Sequence, residues 1–144
     1  MSHEKHERFI DAWARAWNTG QVAALDEIYA PDYIRYENGG QTPMALDRLK
    51  QNILSARVGF PDLASVVEDI FGERDRLAFR WSTRGTHTGE YRGIAPTGRP
   101  VLLEGITLAR VRAWRIEEEW VSWDPSQLLL QIGVLRETNA GSMV

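Results

Sequence analysis

The chain has 144 residues, 43% hydrophobic and 26% charged, a composition that suits one globular domain able to bury a core and enclose a pocket. Seventeen Lys and Arg against twenty Asp and Glu leave a formal charge of -3, which offers no broad cationic footprint for nucleic acid or an anionic membrane. With no cysteine, disulfides, thiol nucleophiles and thiolate metal sites are excluded.

The first residues, MSHEKHERFIDAW, hold neither the apolar run of a signal peptide nor a membrane span, and imply a soluble cytoplasmic protein. From 5 to 18, Phe9, Ile10, Trp13, Ala14 and Trp17 recur at helical spacing before Asn18-Thr19-Gly20, which predicts an amphipathic helix. A shorter helix is expected from 21 to 29, ahead of Pro31, then an extended piece at 32–37 closed by Asn38-Gly39-Gly40. Pro43 is read as opening a third helix with Leu46, Leu49, Ile53 and Leu54 on one stripe, broken at 59–61. Residues 63–71, 76–86, 100–112 and 114–123 are β-rich and alternating, and 113–115 is short enough for a hairpin. A single domain is expected over 1–136, with 137–144 a frayed tail.

Two stretches carry more than periodicity. RWSTRGTHTGEYRGIAPTG, from Arg80 to Gly98, and RIEEEWVSWDPSQLLLQIG, from Arg115 to Gly133, resemble the SnoaL-like polyketide cyclase family, and the likeness covers nearly the whole chain. The resemblance implies the α+β cone of the nuclear transport factor two-like superfamily: a curved antiparallel sheet covered by three N-terminal helices, with a pocket inside. Helices followed by strands give the same α+β class from pattern alone. A pocket on such a scaffold fixes no reaction. The family also implies a homodimer through sheet packing, for which Trp81, Ile106, Leu108 and Trp120 supply apolar residues on the second strand face.

In the cyclases that this chain resembles, a general acid-base Asp stands where this sequence has Val121, and a His where it has Thr107. By period two, Glu117, Glu119, Val121 and Trp123 then face the pocket, with Gly105, Thr107 and Ala109 beside them; Ile116, Glu118, Trp120 and Ser122 face away. A bulge would exchange these faces. Neither valine nor a threonine hydroxyl can shuttle protons near neutrality.

Glu119 is the carboxylate left on that face, useful as a base if burial raises its pKa, although Glu117-Glu118-Glu119 also reads as a solvated acidic run. Tyr33 and Arg35 share one side of the first extended piece. Arg35 could offer a planar cation to an enolate or phenolate oxygen, or form a surface ion pair with Glu37 or Asp32. Trp17 and Asn52 match positions that the family places near its ligand; their alternatives are ordinary core and an exposed helix residue. Asp124, followed by Pro125, reads as a helix N-cap. His87, in GTHTGE, reads as a loop-holding hydrogen bond. His3, His6 and His87 lack metal-ligand spacing, and no glycine-rich phosphate loop is present.

A frame that keeps the family signatures while lacking the Asp and His resembles the branch of relatives assigned to hydroxylation of aromatic, anthracycline-type polyketides. The expectation is a metal- and flavin-free hydroxylase that binds no cofactor and uses dioxygen with electrons from a separate NADPH-dependent reductase. Arg35, Asn52 and Glu119 would be catalytic, and Trp17, Tyr33, Thr107, Val121 and Trp123 would shape a flat apolar slot. Two alternatives stand beside it: a cofactor-independent aldol cyclase, whose acid and base each contribute about 10²- to 10⁴-fold, and a non-catalytic small-molecule binder.

Overall fold

The computed structural model describes residues 3–40 and 42–136; the tail expected at 137–144 lies outside the described residues. Helix α1 (His3–Thr19) buries Phe9, Ala12, Trp13 and Ala16, a stripe at helical spacing, and gives way to Gly20 at φ +79°. The helix expected at 21–29 is a shorter 3-10 segment, Val22–Glu27, and the chain is already extended at Tyr29. Pro31 explains the difference, because it lacks an N–H and steers its predecessor away from helical angles.

Strand β1 (Tyr29–Glu37) pairs antiparallel with the short β2 (Met44–Ala45), so helix α2 (Leu46–Gly59) starts three residues after Pro43 rather than at it. Then follow β3 (Ala64–Glu73), β4 (Arg76–Thr86), β5 (Pro100–Arg112) and β6 (Arg115–Trp123). Helix α3 (Pro125–Gln131) closes the described chain, capped by Asp124, whose Oδ1 accepts from Ser126 N at 2.9 Å. The three helical segments expected in the N-terminal half are α1, the 3-10 segment and α2, and α3 is the additional short helix that Asp124 caps.

The strands form one curved, unclosed α+β sheet in the order β2-β1-β6-β5-β4-β3. Strands β3 to β6 make the expected antiparallel meander, but β1 runs parallel to β6, which corrects the expectation of a wholly antiparallel sheet. Ala113 and Trp114, at φ 50° and 70°, make the two-residue turn between β5 and β6. No described helix is long and apolar enough to cross a membrane.

Register assigns each side chain its face. Phe79 pairs with Thr107 and Trp81 with Gly105, so both rings share the concave side with Thr107. Trp81 was expected on the opposite face; the register moves it inside. A bulge between Arg110 and Val111 also shifts the start of β6. Ile116 is buried in the core, and Glu117 points to Arg112 at 2.9 Å and Arg110 at 3.4 Å instead of into the pocket. Beyond the bulge the expected alternation holds, with Glu119 and Val121 buried on the concave side.

The concave side carries two apolar clusters. The larger joins α1, α2 and the sheet through Phe9, Trp13, Leu49, Ile53, Leu77 and Phe79; the smaller joins Phe60, Leu63, Val101, Leu128 and Ile132. Trp17 packs against both.

Candidate active site

A cavity of about 330 Å³ lies where the two clusters meet, near the lower end of the size range of small-molecule sites. Its aromatic walls include Trp13, Trp17, Phe79, Trp81 and Trp123, with Leu49, Leu63 and Leu103 between them. The indole of Trp81 donates from Nε1 to Thr107 Oγ1 at 3.2 Å, which fixes both the ring and the hydroxyl. Gly105 makes this possible, since a β-carbon there would stand 2.2 Å from the indole. Four lining tryptophans in so small a volume favour a flat, apolar occupant.

One wall is polar. Arg35, Glu37 and Asn52 reach the cavity, from β1 and α2. Behind Arg35 sits Glu119, fully buried, its carboxylate accepting from Tyr29 Oη at 3.1 Å, from Tyr33 Oη, and from Arg35 Nη1 at 3.3 Å. On its cavity side Arg35 donates from Nη2 to Glu37 Oε1 at 2.9 Å. The parallel pairing of β1 with β6 sets Arg35 opposite Glu119 and so creates this arrangement.

Burial raises the pKa of Glu119, while the Arg35 charge and the hydrogen bonds from Tyr33, Tyr29 and Arg35 pull the other way without cancelling it. The two phenols are pushed well above their ordinary range, by burial first and by the Glu119 charge second. For Arg35, burial works against the charge, but the acidic groups packed around it, Tyr33, Glu119 and Glu37, outweigh it and hold the guanidinium firmly protonated. Every proton that Glu119 takes up leaves the Arg35 charge less compensated toward the cavity.

Of the eight residues singled out from sequence, the structure brings Trp17, Arg35, Asn52, Thr107 and Trp123 to the cavity wall. Tyr33, Glu119 and Val121 are buried on the same side of the sheet but are not part of that wall. Val121 pairs directly with Thr107. Glu119 thus touches Arg35 and the two phenols rather than the cavity. Arg35 is buried and takes both Glu37 and Glu119 as partners, so the surface ion pair weighed for it does not describe it.

Glu37 is the residue that sequence reasoning missed: the carboxylate that reaches the cavity is this one. Its signal was present, because Tyr33, Arg35 and Glu37 alternate along β1. Among the described residues Asn52 donates to Met44 Sδ, at 3.4 Å, a weak bond that leaves its amide able to turn to a ligand.

His87 is fully buried and holds the loop that follows β4. Its Nδ1 accepts from Thr97 N at 3.3 Å and lies 3.0 Å from Thr97 Oγ1, and its ring stacks on Phe60 at 5.2 Å. Among the described residues, no group of His, Cys, Asp and Glu could hold a metal ion.

A model of the SnoaL-like polyketide cyclase family matches residues 7–132. AclR from Streptomyces galilaeus, named a putative hydroxylase, has a TM-score of 0.80 at 26% identity, over 92% of this chain and 98% of that one. Wild-type IdmH from Streptomyces antibioticus, named a putative polyketide cyclase, has a TM-score of 0.76 at 32% identity, over 91% and 99%. TsrD from Streptomyces laurentii shares the fold at 20% identity, with a TM-score of 0.81 over 94% of this chain and 99% of that one. No curated protein matches this chain.

Proposed function

The chain belongs to the SnoaL-like polyketide cyclase family, and we propose that within it this protein hydroxylates an aromatic, anthracycline-type polyketide. The observation that carries this reading is the pair Thr107 and Val121, adjacent across β5 and β6 on the concave face, neither of which can hand a proton to an aldol intermediate. The likeness to AclR supports it.

In this proposal the polycyclic substrate lies flat among Trp17, Trp81 and Trp123. Glu37 takes the proton of a ring hydroxyl, and Arg35 stabilises the phenolate that results. The electron-rich ring then reacts with dioxygen. One oxygen atom enters the ring and the other leaves as water, on two electrons that NADPH supplies through a separate reductase. Asn52 orients a ring oxygen, and Glu119 with Tyr29 and Tyr33 positions Arg35. Apolar walls keep bulk water from the reactive anion.

A second reading, cofactor-independent aldol closure, is favoured by the 32% identity to IdmH and would use Glu37 as its base. Dioxygen separates the two: with a reductase, NADPH and tricyclic or tetracyclic anthraquinone substrates, hydroxylation yields product in air and none under argon. Equal conversion under argon would select ring closure. A homodimer through the convex sheet face belongs to the same proposal; Ile106, Leu108 and Trp120 are exposed there at 57%, 45% and 38%.

A further inference from the structure

The cavity holds a second polar feature, which the hydroxylation scheme does not use. Ser65 on β3 and Thr83 on β4 both line it, and their hydroxyl oxygens lie 2.7 Å apart. In the strand order β5 and β6 stand between this pair and β1, so the hydroxyls serve the part of an occupant that is remote from Arg35.

Register produces the contact. Ser65 stands opposite Thr83, and its own N–H and C=O turn to the open edge of β3. There the Asn18 side chain, at the end of α1, accepts from the N–H through Oδ1 at 2.6 Å and donates to the C=O from Nδ2 at 3.0 Å. Ser65 and Thr83 therefore form a backbone pair without mutual ladder bonds, the kind whose side chains approach most closely. Arg57 fixes the same corner, donating from Nη1 to Trp17 O at 2.9 Å and to Leu63 O at 3.0 Å. Ser65 is only 3% exposed, so its hydroxyl answers to the cavity rather than to bulk solvent.

Two hydroxyls carry two donor protons, and their mutual hydrogen bond uses one. Neither oxygen has another partner among the described residues. The second O–H is left over in a largely apolar enclosure, where an acceptor on the occupant relieves the cost of an unmade bond. A quinone or aryl ketone oxygen is such an acceptor, neutral and in the plane of the rings that the tryptophan walls admit.

Resting on the reading of the cavity as a polycyclic-substrate site, we propose that Ser65 and Thr83 form a carbonyl-recognition subsite, and that the physiological substrate carries a ketone or quinone oxygen on the ring that reaches this end of the cavity. The oxygen accepts the spare hydroxyl proton in a hydrogen bond, and this contact selects which ring is presented to Arg35 and Glu37.

Trp13, Trp17, Trp81 and Trp123 line the cavity, so quenching of tryptophan fluorescence reports binding. Anthraquinone and anthracene share one tricyclic frame and differ in the two carbonyl oxygens. Ser65→Ala/Thr83→Val removes both hydroxyls together, so that neither is stranded, and its urea midpoint reports that the fold is intact. The double substitution is expected to weaken anthraquinone about tenfold while anthracene binds as before. Undiminished binding of anthraquinone, or an equal loss for both probes, overturns the carbonyl subsite and leaves the polycyclic site standing. Failure of both probes to bind the unmodified protein removes the polycyclic site itself, and this proposal with it.

Discussion

Trp81 stands over Gly105 on the neighbouring strand, so closely that the smallest side chain at 105 would collide with its indole. Gly105→Ala must therefore push the ring off Thr107 and into the cavity. A loss of about 1–3 kcal/mol, typical of overpacking, is expected in urea denaturation, together with weaker binding of any polycyclic probe. Unchanged stability would mean that the indole does not sit where the register puts it.

Glu119 has a pKa raised by burial, which fixes the sign of its pH dependence. The unfolded chain ionises this group near its ordinary value of 4.5, whereas the folded chain retains the proton to higher pH. Its contribution to stability is thus fully present below pH 4.5, shrinks as pH rises, and levels off above the folded-state value. Measured against Glu119→Gln, the relative stability of the unmodified protein should fall across that window. A difference that grows with pH would show that Arg35 overcomes burial. Glu119→Ala, which leaves Arg35 short of a partner in a buried site, should cost about 3–5 kcal/mol.

The scheme gives separate roles to two neighbours on β1. Glu37→Gln removes the proton acceptor and should lower kcat by about 10²- to 10⁴-fold. Raising the pH should restore part of that loss, because the substrate phenol then ionises unaided. Arg35→Lys keeps a charge but loses the fork that spans Glu119 and Glu37, and no such rescue is expected. Steady-state rates from pH 6 to 10 distinguish the two patterns.

Much of this was legible in the sequence where one element decides the outcome. The stripe of α1, the β5–β6 hairpin and the Asp124 cap follow from local spacing and turn chemistry. Facts that depend on how strands meet were not legible. Trp81 changes face because its position relative to Gly105 is a matter of register, and Ile116 and Glu117 trade places through a bulge that no short pattern announces. Tyr29, read as the end of a helix, joins Tyr33 at Glu119 because Pro31 brings the extended chain forward by three residues. The pairing of Arg35 with Glu119 waited on the parallel contact of β1 with β6, between segments some eighty residues apart.

The proposed dimer uses the convex face, where Tyr36 stacks on Trp120 at 5.9 Å beside Ile106 and Leu108. Light scattering should give twice the chain mass. Ile106→Glu, an exposed position that the monomer fold does not need, should halve it. A monomer before substitution would reject this face as an interface.

Following the oxygen atom decides whether oxygen chemistry replaces proton shuttling in this cavity. Purified protein is supplied with a reductase, NADPH, an anthraquinone-type substrate and isotopically labelled dioxygen in unlabelled water, and the product is read by mass spectrometry. One labelled oxygen atom is expected in each product molecule. Product carrying no label, or formed equally well under argon, would contradict it.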